Sequence, residues 1–239
     1  MKNYLNVFIK AILAGILIGI AGVIYLTLYE NFKIVGVIMF GFGLLVILAQ
    51  GYNLYTGKVG YVIDNKLKFL IDILVMIIGN LVGTVVIALI ANLAGLQVVI
   101  DTANHVIDAK LENTWYQIFG LAVLCGMTMY IAAEGYRRVG NDFARVVIVI
   151  FGVAIFLLGR FEHSIADAFY FTLALRWSWQ AFAFFILMLL GNAAGAILLN
   201  YLEKLAHLKE NVCPTSYYEE VKKEPKNKEK TISEPHNFN

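Results

Sequence analysis

The chain has 239 residues, of which 60% are hydrophobic and 15% charged, and its formal net charge is +2. So apolar a composition, with a mean hydropathy of +0.72, excludes a water-soluble globule and fits a small polytopic protein of the lipid bilayer. The slight positive charge is no sign of a nucleic-acid partner, because the charged side chains fall in loops and in the C-terminal tail.

The first apolar run, 11–29, is longer than a signal-peptide core and lacks a clear cleavage site, so it reads as a retained membrane helix. Gly15, Gly19 and Gly22 on it are helix-packing positions. The second run, 34–49, is shorter. It breaks into Gln50-Gly51-Tyr52-Asn53-Leu54-Tyr55-Thr56-Gly57-Lys58 before a brief apolar piece at 59–63. Residues 69–95 form a third, continuous span that contains Gly79-Asn80-Leu81-Val82-Gly83, and 115–135 form a fourth.

The fifth run is the most informative. Residues 146–159 hold no charge, but that length of helix rises only about 21 Å against a hydrocarbon core of about 30 Å. Arg160, Glu162, His163 and Asp167 then arrive where the rest of the span belongs, and the apolar pattern resumes around 164–175. A sixth span, 179–201, is whole and contains Gly191-Asn192-Ala193-Ala194-Gly195. Pro214, Pro225 and Pro235 all lie in the tail, so glycine and polar side chains must make both breaks. Ionisable, irregular backbone at membrane depth is tolerated only when buried in protein or lining a wet cavity, and it marks a permeation path.

The order whole, broken, whole occurs twice. Asn80 lies 24 residues after Thr56, and Asn192 lies 28 after Ser164. GxxxG alone is an ordinary membrane packing motif; joined to the matching breaks, it predicts two inverted three-helix repeats in an all-α, six-span, aquaporin-like fold with broken second and fifth helices. Lys and Arg number fifteen on the side of the termini against three on the other, namely Lys33, Lys110 and Arg176. That bias places both termini in the cytoplasm of a multi-pass protein of the cell membrane. Residues 1–202 form the channel domain, and 203–239, with seven Lys and seven Glu, are expected to be a disordered cytoplasmic tail. Trp115, Trp177 and Trp179 read as interfacial anchors.

No CxxC, HExxH, GxGxxG or Walker pattern occurs, so no cofactor, metal centre or enzyme activity is expected. Cys125, in an apolar span, and Cys213, in the tail, are poorly placed for a disulfide. His105, His207 and His236 fall in loop or tail and read as solvated.

Over roughly residues 8–202 the chain resembles the formate/nitrite transporter family. The resemblance lies in Asn53-Leu54-Tyr55-Thr56-Gly57, similar to the family's (E/D)LFT(G/S), in Phe161-Glu162-His163-Ser164-Ile165-Ala166, similar to FEHS(V/I)A, and in the Asn80 and Asn192 motifs. It implies a homopentamer of six-span protomers in the inner membrane. Each protomer would hold a pore for small monocarboxylates, nitrite or hydrosulfide. His163 becomes the central pore histidine, with Thr56 its partner on the opposite loop. Phe40, Leu44, Leu54, Tyr55 and Phe156 fall where the family builds two apolar constrictions. Lys110 matches a lysine that attracts anions in the outer vestibule. An apolar ring makes a bare anion expensive to pass and a neutral acid cheaper, and a histidine is the natural group to exchange that proton.

Three positions depart from the family pattern. Arg160 stands for Gly, Gly126 for an Asn able to bond the histidine, and Asp167 for Asn. Gly126 is expected to leave space, and Arg160 and Asp167 to form an internal ion pair. Glu162 is expected to hold the broken helix through backbone N–H groups, and Thr56 to cap the short helix after it. Competing readings are an aquaporin-type neutral pore, which lacks the paired Asn-Pro-Ala signature, and an ammonium channel, which needs a second pore histidine. A membrane scaffold or sensor, whose tail shows no docking motif, and an intramembrane hydrolase, which lacks a nucleophile–base pair, complete the set.

Overall fold

The computed structural model describes residues 4–206, so His207, Cys213, His236 and most of the expected disordered tail lie outside the described residues; the first residues of that tail, 203–205, belong instead to the last helix, where Glu203 and Lys204 bond to the bundle. Along the chain run α1 (Tyr4–Thr27), α2 (Lys33–Ala49), α3 (Tyr55–Lys58) continuing into 3-10 turns at Val59–Asp64, and α4 (Phe69–Leu93). These are followed by α5 (Gln97–Leu111), α6 (Trp115–Arg138), α7 (Asp142–Leu158), α8 (Ser164–Leu173) and α9 (Trp179–Leu205). Helices α1, α4, α6 and α9 are long and apolar enough to cross a membrane. Their exposed faces carry large apolar side chains such as Ile24, Leu74, Leu89 and Phe182, which suit lipid rather than water.

The two short helices end in the same way. After α2, Gly51 takes φ +63°, its N–H donates to the Leu48 carbonyl, and the Tyr52 N–H donates to Ile47. After α7, Arg160 takes φ +54°, its N–H donates to Leu157, and the Phe161 N–H donates to Phe156. Both are Schellman caps, which satisfy the last carbonyls and turn the chain out of the helix. Glycine fits the left-handed position freely, whereas arginine there costs about 1 kcal/mol.

Helix α1 packs on α4, and α6 packs on α9, at backbone-to-backbone distance. A Cβ on Gly15 would overlap the Asn80 carbonyl oxygen, and a Cβ on Gly126 would overlap that of Asn192. Gly126 therefore leaves no space: the backbone of α9 already fills it, and an asparagine on this backbone would drive the two helices apart. Gly19 and Gly22 meet the side chains of Ile87 and Phe169, as expected of packing positions.

Helix α5 was not anticipated. It buries Val99, Thr102, Ala103 and Ile107 while exposing Val98, Asp101, His105 and Asp108. Through it Lys110 and His105 sit on a helix rather than in a loop. Arg176 ties α5 down by bonds to Asp108 at 2.8 Å and Asn104 at 3.2 Å. Trp115 and Trp179 are exposed at the same end of the bundle, and Trp177 packs edge-on against Phe185.

Candidate functional site

Each break leaves extended backbone whose N–H and C=O groups have no helical partner, and a buried asparagine supplies both. Asn192 Oδ1 accepts from the Ser164 N–H at 3.0 Å, while Nδ2 donates to the carbonyls of Glu162 at 2.8 Å and Ala122 at 2.9 Å. Asn80 Oδ1 accepts from the Tyr55 N–H at 2.9 Å, while Nδ2 donates to Asn53 at 2.9 Å and Ala11 at 2.8 Å. Both asparagines are completely buried. The residue straddled by the bonds is His163 in one break and Leu54 in the other.

His163 is the N-cap of α8, and its Nδ1 accepts from the Ala166 N–H at 3.1 Å. A nitrogen that accepts from a backbone N–H carries no proton of its own, so in the neutral ring the hydrogen sits on Nε2. Nε2 lies 2.9 Å from Thr56 Oγ1. The two broken segments thus meet through one side-chain hydrogen bond. Thr56 does not cap α3; Leu54 occupies that cap position without a side-chain bond, and the Thr56 hydroxyl is committed to the imidazole.

Apolar groups close in around the histidine. The Phe156 ring centroid is 5.4 Å from the imidazole, Phe40 is 5.7 Å from Phe156, and Tyr25 is 6.2 Å from Phe40. Leu44 and Leu54 are fully buried. Tyr55 is buried as well, but it is more than an apolar ring, since its hydroxyl donates to the Leu189 carbonyl at 2.7 Å and pins α3 to α9.

A cavity of about 360 Å³ opens beside α5 and reaches Phe156 and His163. Lys110, Arg160, Glu162, Asp167 and the three tyrosines Tyr25, Tyr29 and Tyr170 also line it. Here the expected ion pair is overturned. The partner of Asp167 is Lys110, at 3.0 Å, and the same ammonium lies 2.5 Å from Glu162. Arg160 is exposed and makes no ion pair among the described residues. The cause is the turn: the cap that ends α7 places Arg160 outside the restarted helix, while Lys110 descends from α5 between the two carboxylates. The Glu162 carboxylate accordingly binds Lys110 rather than backbone N–H groups; its carbonyl is what Asn192 holds. Asp167 Oδ2 and the Tyr170 hydroxyl are buried without a hydrogen-bond partner.

Thr56, Phe40, Leu44, Leu54 and Tyr55 are absent from the cavity wall; Phe40 packs behind it against Tyr25 and Phe156, and Thr56 against His163. His105, expected as a solvated loop residue, is exposed as expected but stands on α5 at the cavity wall; the three tyrosines are absent from the sequence expectations, although Tyr25 and Tyr29, one helical turn apart near the end of α1, offered a signal. Cys125 is buried and forms no disulfide among the described residues.

Such broken helices meeting at a buried histidine at the foot of a polar vestibule are the architecture of a membrane transport protein. The chain belongs to the formate/nitrite transporter family, whose model matches residues 1–204. It is 28% identical over 191 residues to the formate channel FocA of Escherichia coli K12, an alignment covering 70% of this chain and 66% of that protein. The chain thus spans just under two thirds of that relative. It is 30% identical over 235 residues to the formate-nitrite transporter of Plasmodium falciparum isolate 3D7, covering 82% of this chain and 75% of the relative. Among solved structures it resembles a pentameric formate channel with formate bound, with a TM-score of 0.70 and 24% identity over 86% of this chain and 98% of that one. It also resembles an FNT family ion channel, with a TM-score of 0.75 and 19% identity over 86% and 91%. At these identities the structural likeness shows the fold alone.

Proposed function

We propose that this protein is a channel or transporter for a small monovalent anion or its conjugate acid, of the formate, nitrite, acetate, lactate or hydrosulfide class. Residues 1–202 would form a six-span protomer of two inverted repeats, assembled as a homopentamer with a pore in each protomer. It would sit in the inner cell membrane with both termini cytoplasmic, so that the cavity beside α5 faces outwards. The formate channels among its relatives and the positive-inside charge bias support these points.

The observation that carries the reading is the 2.9 Å contact between His163 Nε2 and Thr56 Oγ1, where two broken segments meet behind an aromatic plug at the foot of a polar cavity. An anion reaching that depth leaves water and needs a hydrogen-bond donor. The Nε2–H is that donor, already aimed at the junction. To act as an acid, the ring must first bind a second proton at Nδ1, which displaces the Ala166 N–H from its cap. The resulting imidazolium can then release its Nε2 proton to the anion, and the neutral acid crosses the apolar residues beyond more cheaply than the charged form.

Stopped-flow uptake by the purified protein in proteoliposomes tests the reading against formate, nitrite, acetate, lactate and hydrosulfide at two pH values. Saturable uptake of one or more of these is expected, with faster uptake at the lower pH. Water flux with no uptake of any panel member would instead indicate a neutral-solute pore, and neither flux would indicate a scaffold.

A further inference from the structure

We infer that Arg160, rather than Lys110, is the cation that draws anions into the vestibule, and that it offsets the charge of Asp167 across the cavity. This rests on the reading of the site as an anion path.

Lys110 is poorly placed for the task. Its ammonium sits between two carboxylates, and its side chain is only 12% exposed. With all three groups ionised, that cluster carries one net negative charge, so an approaching anion meets a lysine already outnumbered. The carboxylate of Asp167 has one buried oxygen with no hydrogen-bond partner, on the wall of the same cavity. A vestibule holding this cluster alone would repel monovalent anions.

Arg160 changes the balance. It lines the cavity, is exposed, and is engaged with no carboxylate among the described residues. Its charge returns the vestibule to neutrality and leaves a free guanidinium at the accessible side. A cleft with low-dielectric walls focuses such a field and raises the local concentration of counter-ions. Arg160 holds the left-handed cap position that glycine occupies after α2, so local structure favours glycine and gains nothing from arginine. Leu175 takes the same conformation after α8, with φ +54°, so it is the charge of Arg160 and its place on the cavity wall that set it apart. Arg160 and Asp167 both line the cavity, and the partner of Asp167 is Lys110, so the link between the two is one of charge without contact.

The test is formate uptake into right-side-out vesicles at low and high ionic strength, comparing the wild type with Arg160→Gln, Arg160→Lys, Arg160→Gly and the double variant Arg160→Gln/Asp167→Asn. At low salt, Arg160→Gln should raise the apparent KM roughly tenfold, the lower end of focusing effects in charged clefts, with maximal flux little altered. Arg160→Lys should retain most of the affinity, and the double variant should return towards the wild type. Raising the salt should shrink every difference as screening grows. Arg160→Gly relieves the backbone strain, so it should assemble at least as well as the wild type while sharing the KM defect; this separates charge from folding. A wild type that takes up formate, beside Arg160 variants with the same KM and salt dependence, would overturn the inference and leave the channel reading standing. A double variant no better than Arg160→Gln would also overturn it. A wild type that takes up neither formate nor any other of the five anions would overturn both.

Discussion

Asn192→Ala is expected to abolish flux and to destabilise the protein by about 3–5 kcal/mol, because it strips hydrogen bonds from buried backbone groups that no water can reach. The affected groups are the Ser164 N–H and the Glu162 carbonyl, on either side of His163. Without them the imidazole loses its fixed approach to Thr56. Asn192→Asp keeps the acceptor for Ser164 but sets a buried carboxylate against the Glu162 and Ala122 carbonyls, and should be at least as damaging as alanine. Asn80→Ala should behave alike, through Tyr55 and Asn53. Thermal unfolding of the detergent-solubilised protein, read by fluorescence-detected size exclusion, gives the comparison. An Asn192→Ala protein with wild-type melting and flux would show that the break holds its shape without the amide.

Lys110→Met carries the second large effect. Glu162 and Asp167 have side chains only 2% and 3% exposed, and removing their shared cation leaves both buried without a counter-charge. Breaking such a cluster costs about 3–5 kcal/mol. The loss should appear as a lower melting temperature and dissociated assemblies. Neutralising the carboxylates as well, in Lys110→Met/Glu162→Gln/Asp167→Asn, should recover much of it, since no unpaired charge then remains. If Lys110→Met is as stable as the wild type, the lysine is not bound up with the carboxylates, and its role as a free anion collector returns.

What the sequence made legible follows from the bilayer as a ruler. An apolar run too short to cross, stopped by Arg160 and Glu162, is visible without any knowledge of the fold, and so are His163 and the matching Asn80 and Asn192 motifs. The pairing of His163 with Thr56 came from the family resemblance, because nothing in spacing links residues on two separate breaks. The misreadings share one cause: each depended on contacts distant in sequence. Arg160 and Asp167 are near neighbours along the chain, yet the cap after α7 separates them, and a lysine from α5 takes Asp167 instead. Helix α5 carries its own signal, since its buried Val99, Thr102, Ala103 and Ile107 recur at helical spacing; beside the long apolar runs its charged outer face reads as a loop, and burial against the bundle supplies its stability. Gly126 looked like lost polarity until the α9 backbone was seen against it. The bond of the Tyr55 hydroxyl to Leu189 could not be foreseen, because its partner lies on a helix distant in sequence.

The pH dependence of formate flux in His163→Asn, set beside the wild type in proteoliposomes, tests the pore role of His163 most directly. Asparagine is itself a good N-cap, so its side-chain oxygen can accept from the Ala166 N–H and α8 should stay folded. What disappears is the titratable ring. His163→Ala, which loses the cap as well, serves as the control for structural damage. With His163 as the group that meets the substrate, wild-type flux should vary with pH, and the assembled asparagine variant should give a flatter or displaced curve. Superimposable pH–flux curves for all three proteins would contradict a role for His163 in the permeation path.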